Sequence, residues 1–99
     1  ISLVEGNEML VVSPGKVSRE LLQSVADGGS TLVIMKLSQC EAELKALMPH
    51  FAPYLQYYYC EFVERPNALY LHELEAIQMH PFTYFSLLIC KSHQSRTNR

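Results

Sequence analysis

The chain has no long apolar run, no surplus of charge and no paired cysteine motif, and each absence removes a class of protein. No stretch approaches the roughly 18 apolar residues of a membrane-spanning helix, and no secretory leader is read at its start. The first residue is Ile1 rather than methionine, so the expectation is a piece of something longer. Formal net charge is −2, which favours neither nucleic acid nor an anionic membrane as partner. Cys40, Cys60 and Cys90 are far apart and odd in number. They read as reduced, mostly buried thiols of a cytoplasmic protein. Internal repeats and low-complexity segments are lacking too.

What remains is the composition of a folded domain. The 99 residues are 48% hydrophobic and 18% charged, enough for a single core but not for a disordered chain. Met9 to Val12 is a short apolar run closed by Ser13-Pro14-Gly15, a buried strand and its turn. Ser18 is placed to cap a helix over 18–26, whose apolar positions Val17, Leu21, Leu22, Val25 and Ala26 recur at helical spacing. Gly28-Gly29 stops it, and a strand follows over 31–36. Ser38 and Glu41 have the capping-box spacing. Behind them Cys40, Leu44, Leu47 and Met48 form one stripe of a helix over 39–48, with Glu41 and Lys45 as an i,i+4 pair and Pro49 as its end. Tyr57 to Val63 reads as a strand that Ala68–Leu71 could join, residues 73–79 as a short helical turn, and 84–90 as a last buried strand.

The alternation predicts an α/β fold: a mixed β-sheet flanked by helices, with right-handed βαβ units and an antiparallel pair near the end. Residues 1–90 form the expected domain, and 91–99, "KSHQSRTNR", a polar tail expected to be disordered.

Catalytic motifs begin and fail. "HELEA" at 72–76 opens like a helical zinc site, but position 76 is alanine where the second histidine should stand, and His80 falls off that face. "SPGK" at 13–16 lacks the six-residue glycine frame of a phosphate loop and reads as a turn. The run Tyr57-Tyr58-Tyr59 alternates between faces and has no basic patch beside it, so it reads as core plus one exposed ring. Spacing alone establishes no nucleophile, base or metal set.

Four stretches taken together carry a resemblance: "LVEGNEMLVVSPG" at 3–15, "TLVIMK" at 31–36, "FVER" at 62–65 and "YFSLLI" at 84–89, with "VIMK" and "YFSLLI" the most specific parts. In order and approximate spacing they resemble the C-terminal half of precorrin-2 C20-methyltransferases, of the tetrapyrrole methylase superfamily of cobalamin biosynthesis. The resemblance implies a two-domain parent with S-adenosylmethionine, its co-substrate, folded in the cleft between domains. It places Met35 and Lys36 beside the adenine, Arg65, Pro66 and Asn67 on a second wall, and Tyr84, Phe85 and Ser86 next to them. "ERPNALY" is tighter than the family's loop and lacks its glycine. The resemblance further implies a tetrapyrrole substrate, precorrin-2 or its cobalt form, a partner N-terminal domain and a homodimer. No metal and no catalytic side chain are implied for this half, and the 99 residues alone are expected to be inactive. A stand-alone interaction module with the same fold, or a superfamily methylase with another substrate, is the competing expectation.

Overall fold

Ser18 is extended (φ −145°, ψ 161°), and its hydroxyl accepts a hydrogen bond from the Leu21 amide at 3.2 Å. That cap starts α1, Arg19–Ala26, whose Leu22 and Val25 are buried. The computed structural model describes residues 9–28, 30–64 and 67–93. Around α1 stand β1, Met9–Pro14, and β2, Ser30–Met35. Then come α2, Glu41–Phe51; β3, Leu55–Glu64; β4, Asn67–Leu71; α3, Leu74–Met79; and β5, Ser86–Ser92.

The strands form one mixed sheet in the order β1-β2-β5-β3-β4. β1 and β2 are parallel, with Val11 opposite Leu32. β5 runs antiparallel between β2 and β3, bringing Cys90 beside both Leu32 and Tyr57, and β3 and β4 form an antiparallel hairpin with Tyr59 opposite Leu71. Leu32, Ile34, Tyr57, Tyr59, Leu88 and Cys90 therefore share one face. They form the core with Leu22 and Val25 of α1, Leu44 and Met48 of α2, and Ile77 of α3. The Tyr57 hydroxyl donates to Met48 O at 3.0 Å, which satisfies its buried oxygen.

Three expectations need correction. The Ser38–Glu41 capping box does not form. Lys36 is left-handed (φ 55°, ψ 50°), and residues 37–39 wind into a 3₁₀ turn in which the amides of Gln39 and Cys40 donate to Lys36 O and Leu37 O. α2 then starts behind Cys40 without a side-chain cap. Pro49 does not end the helix either; it lies inside α2. A proline there leaves the carbonyl four residues back without its partner, and Gln78 of α3 supplies one, donating from Nε2 to Lys45 O at 2.9 Å. Finally, the last strand runs from Ser86 to Ser92, so Tyr84 and Phe85 precede it and Lys91 and Ser92 belong to it. Pairing of Lys91 with Gln56 and of Ser92 with Leu55 extends the sheet past the expected tail boundary, and Lys91 is only 4% exposed. The rest of that tail, 94–99, lies outside the described residues. Among the described residues no helix is long and apolar enough to cross a membrane.

Candidate functional site

The sheet has one end at which β1, β2 and β3 finish and β4 and β5 begin. Register fixes it: Pro14 lies opposite Met35, Met35 opposite Leu87, Glu61 opposite Ser86, and Glu64 opposite Asn67. Positions 35, 64, 67 and 86 thus meet at this end although they are far apart in sequence. Met35 is 43% exposed there, Tyr84 47% and Phe85 70%. The Tyr84 and Phe85 rings meet edge to face at 5.2 Å. Asn67 begins β4 at the same end, while Arg65 and Pro66 lie outside the described residues. Ser86 is buried, and its hydroxyl donates to Thr83 O. It faces inward rather than outward.

Lys36 is the non-glycine residue with positive φ among those described. A side chain in the left-handed region costs about 1–2 kcal/mol, and such strain persists where the surroundings over-determine it. Here the surroundings are explicit. The amide of Gly15, itself at φ 72°, donates to Met35 O at 2.7 Å, and Lys36 O accepts from the Gln39 amide at 3.0 Å. A Cβ on Gly15 would stand 2.3 Å from Gln39 Oε1. The turn after β1 and the turn after β2 are therefore tied to each other. Both carbonyls at positions 35 and 36 are engaged in these bonds, so what this strand end offers outward is the Met35 side chain and the exposed Lys36.

Phe62 completes the apolar group and was not anticipated from the sequence. It is 52% exposed, and its amide donates to Phe85 O at 2.9 Å. Strand alternation contained the signal: Phe62 shares a sheet face with Tyr58 and Cys60 and so points away from the core. A second missed group lies on the helix side of the same end. Buried Glu61 accepts from the Tyr59 hydroxyl at 2.7 Å and lies 2.6 Å from His80 Nε2. Burial and the Glu61 contact push the Tyr59 hydroxyl up to about 12, so it is a proton donor throughout the neutral range.

The three cysteines are free thiols; Cys40 and Cys90 are buried and Cys60 is half-buried. Among the described residues no three His, Cys, Asp or Glu side chains gather as metal ligands. At the far end of the sheet a cavity of about 210 Å³ opens between Leu55, Tyr58, His72, Leu74 and His93, remote from the residues discussed above.

No family model matches the chain, and no curated protein matches it.

Proposed function

We propose that this chain is the C-terminal domain of an S-adenosylmethionine-dependent methyltransferase of the tetrapyrrole methylase type. Its parent transfers a methyl group to C20 of precorrin-2 or cobalt-precorrin-2, and this domain supplies one wall of the cleft that holds the methyl donor. The observation that carries the reading is the clustering at one sheet end. Met35, Lys36, Tyr84 and Phe85, singled out for the adenosine wall by sequence resemblance alone, lie together on a partly apolar, exposed surface. Such a surface suits a planar base, which asks for apolar area and few fixed polar groups. Methyl transfer from a sulfonium is an in-line displacement that depends chiefly on proximity and alignment, so a domain that only positions the donor needs no nucleophile of its own.

In this reading the other wall and the tetrapyrrole trough come from an N-terminal domain, and the parent is a cytoplasmic homodimer. Half a cleft binds far less than half as well, because the entropic cost of fixing the ligand is incurred in full. Calorimetry with S-adenosylmethionine should therefore give at best millimolar affinity for the 99 residues (about −4 kcal/mol) and no methyl transfer. The longer parent should bind and turn over, and Phe85→Ala in it should weaken donor binding. Micromolar binding by this chain alone, or a parent blind to S-adenosylmethionine, would overturn the reading. Either result favours an interaction module, for which the exposed Leu10, Val12, Phe62 and Tyr70 on the sheet supply the surface.

A further inference from the structure

On the sheet face away from the helices, a strip along β2 and β5 is buried although every buried helix residue lies on the other face. Thr31 is 0% exposed, Lys91 4%, Ile89 7% and Val33 8%, while Leu10 and Val12 beside them on β1 are 46% and 52% exposed. Lys91 is the telling member. A lysine standing out from a pleat rises past its strand neighbours, so burial to this degree needs cover from above. Thr31 Oγ1 adds a second demand. It is buried without a hydrogen-bond partner, an atom that a cover of apolar side chains alone leaves unsatisfied.

An ammonium withdrawn from water is held by an opposite charge. The acids of α1, α2, α3 and their caps lie on the helix side, and Glu61 lies on the helix-covered face. Glu64 ends β3 at the end of the sheet opposite Lys91. Of the 10 acidic residues in the chain, Glu5 and Glu8 remain. The other end of the chain, 94–99, reads "QSRTNR" and offers only positive charge.

We propose that residues 1–8 are the cover: they cross back from the start of β1 over β2 and β5, a Glu5 or Glu8 carboxylate pairs with Lys91, and Leu3 and Val4 lie on Val33 and Ile89. Met9 stands opposite Ser30, at the end of the sheet where β5 finishes. β5 is the second strand from β1, about 10 Å across the sheet, and the four steps from Glu5 to Met9 span about 13 Å. In the methyltransferase reading, on which this one consequence rests, residues 1–8 join the two domains. Pinning them through Lys91 then fixes where the second wall of the cleft is held.

The test uses the full chain and no donor or tetrapyrrole, so its failure leaves the methyltransferase reading standing. Acetylation by an N-hydroxysuccinimide ester at about pH 8, read by mass mapping, compares Lys91 with exposed Lys36. Lys91 should react at least about 100-fold more slowly, as a group released only by opening. Glu5→Gln with Glu8→Gln should narrow that gap about tenfold, the size of a lost close pair, and Arg96→Gln with Arg99→Gln should leave it alone. A double-variant cycle reads the same pair through stability. The glutamine changes should raise the unfolding equilibrium constant about tenfold in the unsubstituted chain and less than about twofold beside Lys91→Met, which keeps the stem and removes the charge. Should Lys91→Met fail to fold, the acetylation arm still decides. A gap unchanged by the glutamine pair, or additive effects in the cycle, would overturn the proposal. So would a gap abolished by the arginine changes, which assigns the cover to 94–99, or one that grows with protein concentration, which assigns it to a second copy.

Discussion

Leu32 and Val33 are neighbours in β2, apolar and buried alike, yet they point into two unlike regions. Leu32 meets Leu22, Leu44 and Ile77 in a core contributed by all three helices. Val33 points to the opposite face, where the outlying residues Leu10, Val12, Phe62 and Tyr70 are about half exposed or more. No described helix residue joins that second face; every buried helix residue belongs to the first. Topology explains the asymmetry. From β1 to β2 and from β2 to β3 the chain moves in the same direction across the sheet, each time through a helix. Right-handed crossovers in one direction put both helices on one face. The passage from β4 to β5 moves the other way along strands that also point the other way. Turned half a circle about the sheet normal it is the same move, so α3 joins the same side.

The largest effect expected from this difference is in stability. Leu88→Ala, on the helix-covered face and fully buried, should cost about 2–5 kcal/mol. Val12→Ala, on the other face, should change stability by no more than about 0.5 kcal/mol. Denaturant unfolding of the two variants measures both. Comparable losses would mean that the second face is packed as tightly as the first.

That asymmetry was only half legible in the sequence. The runs Met9–Val12, Leu32–Met35 and Leu87–Cys90 are apolar without a break, which fits strands buried on both sides. Periodicity alone cannot say that one side is covered by helices and the other is not. Local signals were read well: the Ser18 cap, the Glu41–Lys45 pair at 2.7 Å and the inward Tyr57 and Tyr59 all stand as expected. What escaped depends on distant partners. Nothing near Pro49 announces that Gln78 will take up the carbonyl it frees, and nothing in "KSHQ" shows that Lys91 lies inside a sheet opposite Gln56. β5 itself, the last strand in sequence, slots between β2 and β3, a non-local pairing that alternation does not encode. Resemblance singled out Met35, Tyr84 and Phe85, which the fold leaves exposed at one sheet end. Phe62 and the Glu61–His80 contact needed the fold.

Cysteine chemistry sharpens the comparison next. Cys90 lies on the helix-covered face and Cys60, half-buried, on the other. Burial raises the thiol of both above its ordinary value, most strongly for Cys90. Cys40, in the core at the start of α2, is raised likewise, by burial and then by nearby Glu43. With a thiol reagent at about pH 8, Cys60 should react at least 100-fold faster than Cys90, and Cys40 and Cys90 should wait for global unfolding. Mass mapping of the labelled chain over time decides it, and equal rates would erase the distinction between faces.

A smaller effect is expected where the faces meet, at the sheet end. Gly15 needs φ 72° to reach Met35 O. Gly15→Ala should cost about 1–2 kcal/mol for the left-handed backbone, plus whatever is needed to displace the Gln39 side chain. Adding Gln39→Ala should recover only that second part. A double variant as stable as the parent chain would show that crowding, not backbone conformation, selects glycine here.

The smallest expected effect on folding is also the sharpest test of the open face. Val12 and Phe62 are both 52% exposed and sit on the edge strand β1 and on β3, one strand in from the other edge. A charged residue at either position stays in water, so Val12→Lys with Phe62→Lys should shift stability by at most about 0.5 kcal/mol. Association should respond far more, because apolar area that meets another copy gains from burial and a lysine there must be desolvated. Sedimentation velocity of the unsubstituted chain should show the mean coefficient rising with concentration, while the double variant stays monomeric at every concentration. If the unsubstituted chain remains a strict monomer, the exposed residues are scattered surface rather than a face awaiting cover. If the double variant associates equally well, association runs through another surface, and the asymmetry between the two faces has no consequence outside the fold.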